Sequence, residues 1–126
     1  MLIRQAEAAR DGGACASVYA PYRWAADVAV YVSPDRQRRG GGLALYETLL
    51  SLLHEQGLYV ACAGITLPND ASVALHEACG FQEVGVYRRI GWKLGVWHDV
   101  GWWQRELRAP AAGRPPEPGP PVEFSA

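Results

Sequence analysis

The chain has 126 residues, 49% of them hydrophobic and 20% charged, with twelve basic and thirteen acidic side chains that leave a net charge of −1. This is ordinary globular usage for about one domain on a scale of ~100–200 residues, so wholesale disorder is excluded. Near-neutral charge argues against a nucleic-acid binder that works by bulk electrostatics and leaves room only for a local basic patch.

In chain order, residues 2–6 form a short strand candidate, and Asp11 is placed to cap a helix over about 12–20. The opening run Met1-Leu2-Ile3-Arg4 has no basic segment followed by an apolar one, so no secretory signal is expected. The run Val28-Ala29-Val30-Tyr31-Val32 is β-rich and stops at Ser33-Pro34. Three glycines lead into 43–56, where Leu45, Leu49, Leu52 and Leu53 recur at helical spacing and Gly57 supplies the stop. Residues 58–65 read as an apolar strand. Pro68-Asn69-Asp70 opens a second helix that Gly80 closes. Residues 81–88 and 97–107 are strand candidates on either side of a glycine-punctuated loop, 91–95. Strands alternating with helices imply an α/β, or α+β layered, fold with a mixed sheet flanked by helices. The connection over 33–58 is long enough for a parallel crossover, and that over 65–81 is near the minimum.

Composition changes at Ala109: Pro110, Pro115, Pro116, Pro118, Pro120 and Pro121 all lie beyond it. Lacking backbone donors, 109–126 reads as a disordered, extended tail with polyproline character, either inert or a ligand for a partner, and the folded domain as 1–108. Cys15, Cys62 and Cys79 are an odd, widely spaced set with no CxxC pair, which suggests neither a disulfide scaffold nor a zinc site. No stretch reaches the ~18 apolar residues that span a bilayer, so a cytoplasmic protein with no membrane partner is the default. Trp92, Trp97, Trp102 and Trp103 cluster as core or dimer packing would rather than as a ligand cage. His98-Asp99 is a candidate structural hydrogen bond. His54, His76 and His98 lack ligand spacing, so no metal is assigned.

The most informative stretch runs from the 28–32 strand through Arg36-Gln37-Arg38-Arg39-Gly40-Gly41-Gly42 into a helix. Glycines let backbone N–H groups close on an anion, and the helix start adds unpaired donors and a positive dipole end. The arginines add charge beside it, so a pyrophosphate suits the chemistry, although a glycine turn with solvated arginines would look the same. The pattern is neither the dinucleotide GxGxxG nor a Walker loop.

Gln37-Arg38-Arg39-Gly40-Gly41-Gly42 fits Q/R-x-x-G-x-G/A and resembles the acyl-CoA pyrophosphate loop of the GNAT N-acetyltransferases. Asn69 through Gly80-Phe81 resembles their second motif, in which an Asn opens a helix that ends in Gly-Phe. Tyr31-Val32-Ser33-Pro34, the run from Gly64 to Asp70, Leu75-His76-Glu77-Ala78 and the run from Trp97 to Gln104 resemble the phosphinothricin acetyltransferase branch. In that branch a His sits seven residues after the motif Asn, the place that His76 holds. The likeness is strong over about 22–108 and weaker over 2–22.

The resemblance implies a direct acetyl transfer from acetyl-CoA to the amino group of a small amino-acid-like substrate of the phosphinothricin or methionine sulfoximine type. It implies cofactor contacts from Tyr31, Val32, Gln37, Arg38, Arg39, Gly40, Gly41 and Gly42, and from Asn69 and Ser72 near the pantetheine arm. Asp27 matches the position of the branch's catalytic Glu, one methylene shorter, and His76 is the second proton-transfer candidate. Asn69 also suffices as a helix cap, Asp27 as a surface carboxylate and His76 as a half-buried interior histidine. No covalent intermediate, nucleic acid or metal is implied.

Several dozen residues of the family, a second helix and the second and third strands, have no counterpart at Ala20-Pro21-Tyr22-Arg23-Trp24. An internal deletion is the simplest account. Either the first strand then pairs directly with the family's fourth, or an apolar edge is exposed, which favours a homodimer or strand exchange. The alternatives to an active enzyme are a non-catalytic remnant that binds CoA or serves as a dimeric module, and an unrelated phosphate-binding domain.

Overall fold

The computed structural model describes residues 2–4, 20–29 and 41–120. The described elements are β1 (Leu2–Arg4), a 3-10 turn (Ala20–Tyr22), β2 (Ala25–Ala29), α1 (Gly41–Gln56), β3 (Val60–Leu67), α2 (Asp70–Ala78), β4 (Gln82–Lys93) and β5 (Val96–Glu106). They build a five-stranded mixed sheet in the order β1-β2-β3-β5-β4. Only β2 and β3 run parallel, joined through α1, and the other neighbours are antiparallel.

Of the two outcomes expected for the first strand, the direct pairing is the one observed. β1 lies antiparallel on β2, with Leu2↔Ala29, Ile3↔Val28 and Arg4↔Asp27 in register. The strand expected at 28–32 begins earlier, at Ala25, and its residues beyond Ala29 lie outside the described residues, as does the helix expected at 12–20. Alternation along β2 sends Ala26 and Val28 into the core and leaves Asp27 exposed on the opposite face.

Tyr46, Leu49, Leu50 and Leu53 form the buried stripe of α1, at i, i+3, i+4 and i+7. Leu45 and Leu52, expected on that stripe, flank it half-buried. The stripe packs on Ala26, Val28, Ala61, Ala63, Ile65 and Trp103 of the sheet, with Leu58 and Phe81 closing the ends.

Both described helices end in the same way. Gly57 (φ +97) donates to the carbonyl of His54 and Leu58 to that of Leu53. Gly80 (φ +86) donates to Glu77 and Phe81 to His76. This paired 5→2 and 6→1 pattern is the Schellman stop, in which a left-handed residue, cheap only for glycine, turns the chain back under its own helix. The Gly80-Phe81 pair is therefore explained locally: the glycine reverses the chain, and Phe81 packs edge-on against His76 at 5.3 Å. At the other end of α2, Asn69 Oδ1 accepts from the amide of Ser72 at 3.1 Å. Asn69→Ala should lower stability by about 1 kcal/mol in urea unfolding, the usual worth of such a cap.

The loop expected at 91–95 is shorter than its glycines suggest. β4 continues to Lys93, and the hairpin turns on Leu94 (φ +54) and Gly95 (φ +79) alone. Positive φ at both central positions matches the right-handed twist of the strands, so two residues suffice. The tryptophans divide: Trp103 is core, Trp102 lies over Gly64, and Trp92 and Trp97 form an exposed edge-to-face pair at 5.3 Å. His98 and Asp99 are bonded elsewhere. His98 Nε2 lies 2.9 Å from the carbonyl of Lys93, and Asp99 accepts from the amide of Arg89 at the bulge in β4.

The prolines do keep 109–120 out of helix and sheet, but this part of the segment is not a free tail. It docks on the body through its backbone: Trp24 Nε1 donates to the carbonyl of Pro116, and the Gly119 amide donates to the carbonyl of Gln56. Proline removes donors, not acceptors, so such a segment can still be held by donors from outside. No described helix is long and apolar enough to cross a membrane.

Candidate functional site

Two helices begin at the same end of the sheet. α1 returns the chain from the end of β2 to the start of β3. Its 16 residues, at ~1.5 Å each, match the length of the eight-residue β3, at ~3.3 Å each. Gly41 therefore stands level with the end of β3, where Asn69 opens α2. Gly41 and Gly42 occupy the first turn of α1, which contains no acidic residue to repel an anion. A helix start with its positive dipole end and two residues without Cβ atoms thus stands there, and such a place suits an anion. Tyr31, Val32, Gln37, Arg38, Arg39 and Gly40 lie outside the described residues.

Beside this end the sheet opens. Pairing between β2 and β3 runs from Ala25↔Val60 to Asp27↔Cys62 and goes no further among the described residues, although β2 continues to Ala29. β3 itself continues to Leu67, held on its other side by β5. The last paired residue of β2 is Asp27. Its carboxylate is close enough to Cys62 to push the thiol's pKa up, in addition to the larger effect of burial. Asp27 is exposed, on the face opposite the core, at the mouth of the divergence. A carboxylate so placed can accept a proton from an amine that enters between the strands.

His76 sits elsewhere. It is 7% exposed, inside the core, and both ring nitrogens are engaged. Nδ1 lies 2.7 Å from the carbonyl of Ser72, which can only accept, so Nδ1 carries the proton. Nε2, 2.6 Å from Tyr46 Oη, then accepts from the phenol. Burial supports this assignment, since it raises the pKa of Tyr46 and lowers that of His76. The Tyr46, His76 and Phe81 rings meet edge-on at 5.0–5.5 Å. The bonds therefore form a chain: Asn69 holds the Ser72 amide, the Ser72 carbonyl holds His76, and His76 holds Tyr46 of α1. This chain locks the start of α2 to α1, and with it the two flanks of the site.

The sequence reading missed Tyr46. Its signal was available: it is the one member of the α1 stripe with a polar atom, and a buried tyrosine hydroxyl usually finds a partner.

A lowered His76 pKa has a consequence for stability. Just below pH 6.5 the unfolded chain binds a proton on this histidine that the folded chain does not. Stability therefore rises with pH up to that value, is complete above it, and falls as the pH drops through the window toward the folded pKa. The slope is at most about 1.4 kcal/mol per pH unit. Urea midpoints measured from pH 5 to 7.5 should show this slope, and His76→Gln should flatten it.

The model of the acetyltransferase (GNAT) family matches residues 8–81. The chain is 48% identical over 97 residues to a phosphinothricin N-acetyltransferase of Streptomyces viridochromogenes, spanning 77% of this chain and 53% of that protein. It is 35% identical to an L-methionine sulfoximine/L-methionine sulfone acetyltransferase of Pseudomonas paraeruginosa, over 68% of this chain and 50% of that one. A crystal structure of a GNAT superfamily phosphinothricin acetyltransferase from Sinorhizobium meliloti, in complex with acetyl-CoA, superposes with a TM-score of 0.72 at 33% identity. It covers 77% of this chain and 52% of that one. The chain thus spans about half the length of the relatives it matches.

Proposed function

Because the chain belongs to the GNAT acetyltransferase family, we propose that it transfers an acetyl group from acetyl-CoA to the amino group of a small amino-acid-like substrate. The observation that carries the reading is the divergence of β2 and β3 past Asp27↔Cys62, flanked by the glycine start of α1. Phosphinothricin and methionine sulfoximine or sulfone are the first acceptors to examine, since relatives bear those names. The likeness over 22–108 and the direct β1–β2 pairing support an internal deletion of the family's second helix and second and third strands.

We infer the roles from the resemblance, with the positions of the described residues in support. The first-turn amides of α1 hold the diphosphate, and the resemblance adds Gln37, Arg38, Arg39 and Gly40. By resemblance, backbone N–H groups at Tyr31 and Val32 stabilise the developing oxyanion. Asn69 and Ser72 flank the pantetheine arm. Asp27 accepts the ammonium proton, directly or through one water, so that the amine presents its lone pair. Acetyl-CoA supplies the activated acyl group: the amine's nitrogen bonds to the carbonyl carbon, the C–S bond breaks with its electron pair going to sulfur, and CoA leaves as a thiolate that takes a proton from solvent. His76, expected from the resemblance as a proton carrier, is assigned a positioning role here: its two nitrogens are already occupied in fixing α2 to α1.

The test is mass-spectrometric detection of the acetylated product after incubation with acetyl-CoA and each acceptor. Formation that needs the protein and disappears in Asp27→Ala supports the reading. Acetyl-CoA binding without transfer to any of a broad amine panel would leave a non-catalytic remnant.

A further inference from the structure

The docked segment 114–119 has a chemistry that the acyl-transfer reading does not use. Its residues, Arg114-Pro115-Pro116-Glu117-Pro118-Gly119, present only two backbone N–H groups between positions 115 and 119, so the segment cannot pair with itself. It is read from outside by three elements. The indole of Trp24 donates to the Pro116 carbonyl at 2.8 Å. The Arg23 guanidinium, stacked 5.1 Å from the Trp24 ring centre, grips both oxygens of Glu117 at 2.8 and 2.9 Å. The Gly119 amide donates to the carbonyl of Gln56, at the end of α1, at 2.7 Å. Arg114 closes the other side, 5.8 Å from the same indole and 2.5 Å from Glu117.

An aromatic platform whose N–H meets the carbonyl of a proline-fixed, extended chain is a general way of recognising polyproline segments, because that chain's carbonyls are unpaired and little entropy is lost on binding. The arginine adds selection for an acidic residue directly after the Pro-Pro pair. We propose that Trp24 and Arg23 form a recognition site for extended, acidic proline-rich segments, and that residues 114–119 of this chain are its resident ligand. The bound segment ties the entry of β2 to the end of α1, the side of the molecule away from Gly41 and Asn69.

The test is a competition on the full, unmodified chain. A peptide Arg-Pro-Pro-Glu-Pro-Gly-Pro is added at several mM, since a tethered ligand competes at an effective concentration of about that order. NMR reads the Gly119 amide exchange rate and the Trp24 indole N–H. Gly119 should be protected at first, and the peptide should speed its exchange by about tenfold and shift the indole signal. A peptide with Gln in place of Glu should compete far less. In the chain itself, Trp24→Phe, which keeps the ring and removes the N–H, should release Gly119 in the same way. Gly119 exchanging from the start at the rate of an unstructured amide would overturn the proposal, as would equal competition by the two peptides.

Discussion

Asp27→Ala should reduce acetyl transfer by about 10²–10⁴-fold while leaving acetyl-CoA affinity near that of the parent, because a positioned base contributes in that range and acts on the acceptor rather than the cofactor. The split is what distinguishes a base from a strand residue. Asp27 is exposed on the face opposite the core, so truncating its side chain opens no cavity there. A drop in kcat with unchanged cofactor binding and an unchanged melting temperature would thus locate the loss in the chemical step. Asp27→Glu lengthens the carboxylate by one methylene, to the residue that the resemblance implies at this position, and should retain transfer at or above the parent's rate. A carboxylate misplaced by ~1 Å can lose on the order of 10²-fold, so the longer side chain has room to gain. An Asp27→Ala protein with undiminished turnover would remove Asp27 from the mechanism.

His76→Ala should destabilise the domain by about 3–5 kcal/mol, the cost of removing a buried ring without refilling its space. The change also strands the Tyr46 hydroxyl inside the core, where an unpaired donor costs about 1–3 kcal/mol. A domain has only ~5–15 kcal/mol in hand, so the loss is a large share of the whole. Tyr46→Phe isolates one part of it: the ring stays, the hydrogen bond to Nε2 goes, and about 1–3 kcal/mol should follow. Both are read by urea unfolding above pH 6.5, where His76 is neutral in either state. If His76→Ala instead unfolded at the parental midpoint while transfer collapsed, His76 would be a proton carrier and not an interior anchor.

How much of this was legible in the sequence depends on how local the signal was. The span from Asn69 to Phe81 was readable almost residue by residue, because a cap and a Schellman stop are made by neighbours in the chain. Gly57 ended α1 for the same reason. The α/β order and both helices followed from periodicity. The failures were tertiary. The role of His76 depends on Tyr46, thirty positions away, and no local pattern links the two. The docking of Glu117 on Arg23 spans 94 positions, and composition alone made that segment look unattached. The partner of β1 could be narrowed to two outcomes and not to one, because nothing local to either strand chooses its neighbour. The hairpin was called too long because glycine at Gly91 looks like punctuation even inside a strand, whereas Leu94 gives no hint of a positive φ.

The most direct measurement is an acetyl-CoA titration of the ¹⁵N-labelled protein, followed at the amides of Gly41 and Gly42. Their signals should move saturably, together with those near Asn69 and Asp27, as the diphosphate meets the start of α1 and the arm enters between β2 and β3. Resonances of a folded sample that stay fixed at saturating acetyl-CoA would contradict the cradle, and with it the roles given to Asp27, Asn69 and Ser72.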